Sequence, residues 1–240
     1  MTELTSHPVW DRSTRWFHWI NFLCVVALSA VGLVILNEKA LGLGNAGKIA
    51  LKTLHVWIGY VFATNLAWRL VWAFIGNPYA RWRALLPWGR GYLRDLGAYV
   101  RATFAGAPPH YRGRSPASRL AATVLIAALL VQAVTGLVLA GTDVFMPPFG
   151  SRIAAWIAAP GVDPATLVPY APETYDQTAF EAMRAFRKPF VNVHLWNFYL
   201  LMGLVVAHVA AVVFVELKGG GVIGAMFTGR KVLAGKPVDE

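Results

Sequence analysis

Four long apolar runs constrain this 240-residue chain more than any other feature. A helix that crosses the hydrocarbon core of a bilayer needs roughly 20 mostly apolar residues. The runs at about 16–36, 53–75, 117–139 and 190–217 each reach that length. In hydrocarbon, every backbone N–H and C=O must find its partner within the protein, which leaves only helices or a closed barrel. No segment reads as an alternating strand. The chain is therefore expected to be all-α, an integral membrane four-helix bundle forming a single membrane domain over 1–240. Pro87, Pro108–Pro109 and Pro147–Pro148 fall outside the runs, as helix breakers should. They lie in the two long connections, about 76–116 and about 142–188.

Composition agrees: 57% of the residues are hydrophobic and 14% charged, against about 25% charged in ordinary soluble domains. A net charge of +10 would suit nucleic acid. Its placement points instead to membrane lipids, because basic residues cluster between the apolar runs. The second connection carries Arg81, Arg83, Arg90, Arg94, Arg101, Arg112 and Arg114 with Asp95 as its only acid. Arginine-rich loops stay in the cytoplasm. That assigns both termini to the cytoplasm and the third connection to the outer side of the membrane. The single cysteine, Cys24, lies inside a run. There is no Cys-x-x-Cys-His attachment site, so any haem is held non-covalently.

Four of the six histidines, His18, His55, His194 and His208, lie in the apolar runs, whereas His7 and His110 lie in polar segments. An ionisable side chain within a span is costly and marks a functional candidate. The plainer reading is a hydrogen bond to a neighbouring helix, but the spacing argues further. His194 and His208 are 14 residues apart, about 1400° of helix and therefore within about 40° of four full turns. They share a face and lie about 21 Å apart along the axis. That separation suits two centres at different depths. Topology puts His18 and His208 near the inner surface, and His55 and His194 near the outer one. Each depth-matched pair offers two axial imidazoles to one haem iron between helices. Such an iron has no open position, which suits electron transfer; zinc would instead ask for three or four ligands at one depth.

The same 14-residue step places Gly32 on the His18 face at the outer depth, and Gly59 lies one turn beyond His55. Both would leave room for a porphyrin. Fourteen residues after His55 comes Arg69, at the inner depth. A buried guanidinium wants an anion, and a haem propionate matches it in bidentate geometry; snorkelling to headgroups is the alternative. The tryptophans near the run ends read as an interfacial belt. Gln132 and Thr135 read as inter-helix hydrogen bonds, and Gly219–Gly221 as a helix stop.

At these residues the chain resembles the bacterial cytochrome b561 family, which is related to the b-type membrane subunits of nickel–iron hydrogenases and of formate dehydrogenase. The resemblance rests on Arg15-Trp16-Phe17-His18-Trp19 and on the His194–His208 spacing. Trp68-Arg69-Leu70-Val71-Trp72 with Gly76, Ala80-Arg81-Trp82, and Gln132-Ala133-Val134-Thr135-Gly136 support it. It implies four core helices and two haem b groups with bis-histidine ligation, the inner on His18 and His208 and the outer on His55 and His194. It also implies electron exchange between a partner and the quinone pool. Hydrogenase-type subunits tend to carry Thr-Gly where this chain has Val31-Gly32, and a basic residue where it has Leu195.

The leading expectation is a di-haem membrane cytochrome of the respiratory chain, working between quinone and a periplasmic redox protein such as a c-type cytochrome or an iron–sulfur subunit. A second is the b-type membrane anchor of a hydrogenase- or dehydrogenase-like complex. A third is a haem-free transporter or assembly anchor. The long outer connection carries Trp156, Tyr170, Tyr175, Phe180 and Phe186 and a helix-like run from Thr174 to Phe186. It reads as either a docking surface or a lid.

Overall fold

A computed structural model describes residues 4–239. The four expected spans are helices α1 (Arg12–Leu36), α2 (Asn45–Ile75), α5 (Pro116–Val144) and α7 (Gln177–Leu217). All four are long and apolar enough to cross a membrane. Phe22, Leu23 and Val26 on α1 and Val206, Val209 and Val213 on α7 are among the exposed apolar side chains. Surface of this kind is unstable in water at such extent and ordinary against lipid.

Every span extends beyond its apolar run. α5 starts on Pro116, whose missing N–H costs nothing at a first helical position. The Ser118 N–H donates to the Ser115 hydroxyl just before it. α7 gains a further stretch at its start, because the helix-like run in the outer connection is continuous with the fourth span and passes through Pro189. A membrane helix tolerates such a proline where neighbouring groups take up the freed carbonyl. α7 stops as expected of its glycines. Gly219 has φ +81°, and the Gly219 and Gly220 N–H groups donate to the carbonyls of Glu216 and Val215, the pattern of a Schellman cap.

The chain packs as two compact units, and each long helix contributes to both. One unit holds the chain up to Trp19, Leu66–Ala128, and everything from Leu200 on. It contains the short helices α3 (Trp82–Leu85), α4 (Tyr92–Phe104) and α8 (Val222–Thr228). The first two form within the arginine-rich connection. Trp68 and Trp72 do more here than sit at an interface: their indole N–H groups donate to the Ser13 hydroxyl and the Asp11 carboxylate, tying α2 to the start of α1.

One element escaped the sequence reading. β1 (Leu4–Pro8) pairs antiparallel with β2 (Arg230–Ala234), Leu4 opposite Ala234 and Pro8 opposite Arg230. The two ends of the chain therefore meet. Gly229, at φ +81°, turns α8 into β2, and its carbonyl accepts from the Val9 and Trp10 N–H groups. Lys231, counted among the surface cations, instead points inward with Leu233, and its ammonium donates to the Tyr111 and Gly113 carbonyls. Burial pulls that ammonium down to about 8. The unfolded chain keeps the proton to about 10.4, so between these values the unfolded state binds more protons and rising pH favours the fold. The thermal midpoint of the wild type should therefore climb, relative to Lys231→Met, as pH rises from about 8 to about 10. Parallel pH profiles in detergent would show Lys231 to be solvated.

The other unit holds Ile20–Asn65 and Leu129–Tyr199. Its outer connection builds its own core from Ile153, Ala154, Ile157, Leu167, Tyr175 and Met183, around helix α6 (Gly150–Ile157). Tyr175 is buried there and so cannot serve a docking surface, whereas Trp156, Tyr170 and Phe186 remain exposed. Asp143, at the end of α5, pairs with Lys52 of α2 at 3.0 Å and with Arg187 of α7. The Lys52 ammonium also donates to the Tyr170 hydroxyl at 2.7 Å.

Candidate functional site

The four membrane histidines fall two to a unit, in the combinations expected from topology. In the first unit, His18 of α1 and His208 of α7 lie close enough for their charged forms to repel. His18 Nδ1 is buried without a hydrogen-bond partner. Trp19 stands edge-on to the His18 ring, with centroids 5.2 Å apart.

Arg69 belongs to the same unit and does not snorkel: it is 3% exposed. Its Nη2 donates to the Ala80 carbonyl at 3.0 Å, its guanidinium lies 5.9 Å from the Phe17 ring centre, and its Nη1 has no partner. Arg114 is half-buried nearby, over the Trp10 ring and donating to the Tyr79 carbonyl. Burial lowers the Arg114 guanidinium to about 9, and the like charges of Arg69 and Arg119 push the same way. Buried cations with spare donors fit an anion of carboxylate type.

In the second unit, His55 of α2 and His194 of α7 have ring centroids 6.4 Å apart at an interplanar angle of 68°. Two imidazoles on opposite sides of one metal, each bonded at roughly 2 Å with the ring centre about 1 Å further, would have centroids about 6 Å apart. His55 Nδ1 is buried and unpartnered. The donor set is thus two imidazoles at a ring separation that fits two ligands on one metal. Among the described residues, no group of three or more histidine, cysteine or carboxylate side chains converges.

Glycines hold these rings at close quarters. A Cβ on Gly32 of α1 would lie 3.4 Å from His55 Cε1, and one on Gly136 of α5 would lie 3.3 Å from His194 Cε1. Gly59 has no such neighbour within 4 Å. It leaves open space beside α2 and does not touch an imidazole.

Gln132 and Thr135, read from the sequence as inter-helix hydrogen bonds, and Gly136 beside them stand against the second histidine pair. The Thr135 hydroxyl lies 2.9 Å from His194 Nδ1, and Gln132 Nε2 lies 3.0 Å from His194 Nε2. Asn197 donates to Gln132 Oε1 at 2.7 Å. The available signal was their spacing. Positions 132, 135 and 136 form an i, i+3, i+4 stripe of polar and small residues on an otherwise apolar helix, which is how membrane helices mark an inter-helix face.

Long apolar helices that bring histidines together in pairs are a frame on which a membrane protein can hold a haem through imidazole. The chain belongs to the prokaryotic cytochrome b561 family, which it matches over residues 9–229. Membership makes it a membrane cytochrome of b type and implies b-type haem, which the paired imidazoles fit. Its relatives include the probable Ni/Fe-hydrogenase B-type cytochrome subunit of Cupriavidus necator, 26% identical over 157 residues, covering 62% of this chain and 64% of that subunit. The corresponding subunit of Azotobacter vinelandii is 27% identical over 163 residues, 64% of this chain and 67% of the relative. The probable Ni/Fe-hydrogenase 1 B-type cytochrome subunit of Escherichia coli K12 is 30% identical over 106 residues, 41% of this chain and 44% of the relative. The chain thus spans about two thirds or less of the length of these curated relatives. No solved structure matches it.

Proposed function

We propose that the chain holds two b haems, one in each unit, and carries electrons between the quinone pool and a redox protein at the outer face of a bacterial inner membrane. His18 and His208 ligate the inner haem, and His55 and His194 the outer one. The observation that carries this reading is the approach of His55 and His194 at a ring separation of 6.4 Å. Bound haem b supplies a one-electron Fe(III)/Fe(II) couple. Two histidines would hold each haem, an arrangement that would suit electron transfer. Arg69, whose buried Nη1 has no partner, would hold a propionate of the inner haem, and the apolar helix faces would keep water out. The arginine-rich connection, cytoplasmic by the positive-inside rule, supports cytoplasmic termini. The electron partner is a c-type cytochrome or an iron–sulfur subunit.

A second reading is favoured by the relatives' names: the chain is the membrane subunit of a hydrogenase, and its partner is the hydrogenase's catalytic or iron–sulfur subunit. Co-purification of such a subunit from native membranes separates this from a free-standing cytochrome.

The test is a dithionite-reduced minus oxidised spectrum of the purified chain, with haem per chain counted as pyridine haemochrome. A b-type spectrum at about two haems per chain is expected of two bis-histidine sites. A single haem would remove one of the sites. A colourless protein from haem-replete cells would sink the electron-transfer reading and leave the histidines to transport or assembly.

A further inference from the structure

We propose that Thr135 is a positioning residue for His194, holding its imidazole in the tautomer with the proton on Nδ1 and the lone pair on Nε2. The consequence drawn for the haem rests on the reading of His194 as a ligand; the tautomer itself does not.

The argument is one of proton bookkeeping. A threonine hydroxyl has one proton. That of Thr135 goes to the Val131 carbonyl at 2.7 Å, one turn back along α5, the usual helix partner of a threonine. Its oxygen then meets His194 Nδ1, 2.9 Å away, as an acceptor, so Nδ1 carries the hydrogen. Nε2 is left with a lone pair. The atom facing it is the Gln132 amide nitrogen, a donor, at 3.0 Å. The oxygen of that amide is engaged elsewhere, because Gln132 Oε1 accepts from Asn197 Nδ2 at 2.7 Å. Each of these four contacts then joins one donor to one acceptor. Reversing the histidine would require turning both amides and withdrawing the Thr135 proton from its carbonyl. Thr135 is 6% exposed and Asn197 8%, so water does not compete for these bonds.

A ligating histidine commonly donates its second N–H to a neighbouring acceptor, which orients the ring and raises its basicity. In the helix-rich interior of a membrane protein backbone carbonyls are already spent on the helix, so a side-chain hydroxyl takes that part here. A more basic ligand favours ferric over ferrous iron. Thr135→Val keeps the shape and removes the acceptor, and should raise the potential of one haem alone. The expected shift is about tenfold in the ferrous-to-ferric ratio at fixed potential, or 59 mV for a one-electron couple.

Two measurements test this on the full-length protein. In an optical redox titration, Thr135→Val should move one of the two haem potentials upward, and Thr135→Ser should restore it. Thr135→Ala, which cannot crowd the site, should reproduce the shift. Unchanged potentials, or equal shifts of both haems, would overturn the proposal. The second measurement is a two-bond 1H–15N correlation on histidine-labelled protein prepared without haem, with the His194 signal identified by its loss in His194→Gln. It should show the Nδ1–H tautomer in wild type and Thr135→Ser, and its loss in Thr135→Val. An Nε2–H tautomer in the wild type overturns the proposal whether or not the chain proves to bind haem; a haem-free protein with the Nδ1–H tautomer would sink the functional reading alone.

Discussion

Replacing His208 by alanine should remove one haem signal and leave the other, lowering haem per chain from about two to about one. His18→Ala should give the same remaining spectrum and potential. His55→Ala and His194→Ala should each leave the complementary one. The pattern follows from two features that do not depend on each other. The helical rise separates the two histidines of α7 by about 21 Å, too far to serve one iron. And the chain packs so that His18 and His208 belong to one unit while His55 and His194 belong to the other. Removing one axial imidazole leaves a five-coordinate iron in a site that binds its porphyrin without covalent help. The partner histidine alone then has to retain the haem through purification. Damage should not spread, because alanine at position 208 leaves the contact of His194 Nδ1 with Thr135 intact. The measurement is low-temperature difference spectroscopy on membranes, where two b haems resolve, followed by redox titration of each variant. If His208→Ala and His194→Ala leave the same residual haem, the proposed pairing is wrong.

The spans, and the grouping of His18 with His208 and of His55 with His194, were legible because each rests on a long-range regularity: the length of an apolar run and the helical repeat. What the sequence hid rests on contacts between distant segments. β1 (Leu4-Thr5-Ser6-His7-Pro8) and β2 (Arg230-Lys231-Val232-Leu233-Ala234) show no alternation of apolar and polar residues. Each is a strand only because the other lies beside it. Lys231 reads as one more interfacial cation until that pairing turns it toward the Tyr111 and Gly113 carbonyls. The same holds at the site. Arg69 was legible as a buried cation in want of an anion, but its inward direction comes from the Ala80 carbonyl beyond the end of α2. Thr135 and Gln132 looked like ordinary inter-helix polar groups, and they are; that the group they hold is His194 depends on how α5 packs on α7. Tyr175 failed in the opposite sense. An aromatic residue in a polar connection looks like surface, but this connection is long enough to bury a small core of its own.

Gly136→Val should cost the outer haem while sparing the inner one. A Cβ at position 136 would lie 3.3 Å from His194 Cε1, a contact that alanine meets with a shift of a few tenths of an ångström. Valine adds two methyl groups beyond that point, stiff at χ1 on a helix, and the ring must move or α5 must back away. Overpacking of this kind costs about 1–3 kcal/mol, which at 1.4 kcal/mol per tenfold corresponds to roughly five- to 150-fold weaker haem retention. Movement of the ring would also strain its contacts with Thr135 and Gln132, so the loss should fall toward the upper end. Gly32→Val acts on the other imidazole, since its Cβ would meet His55 Cε1 at 3.4 Å, and should lose the same haem. Haem content after repeated detergent exchange, together with the potential of the haem that remains, measures both. The expected order is wild type, then Gly136→Ala with a slight loss, then Gly136→Val with near-complete loss of the outer signal. A valine at position 136 that leaves both haems at full occupancy would mean that His194 has room to spare, and that its close approach to α5 plays no part in ligation.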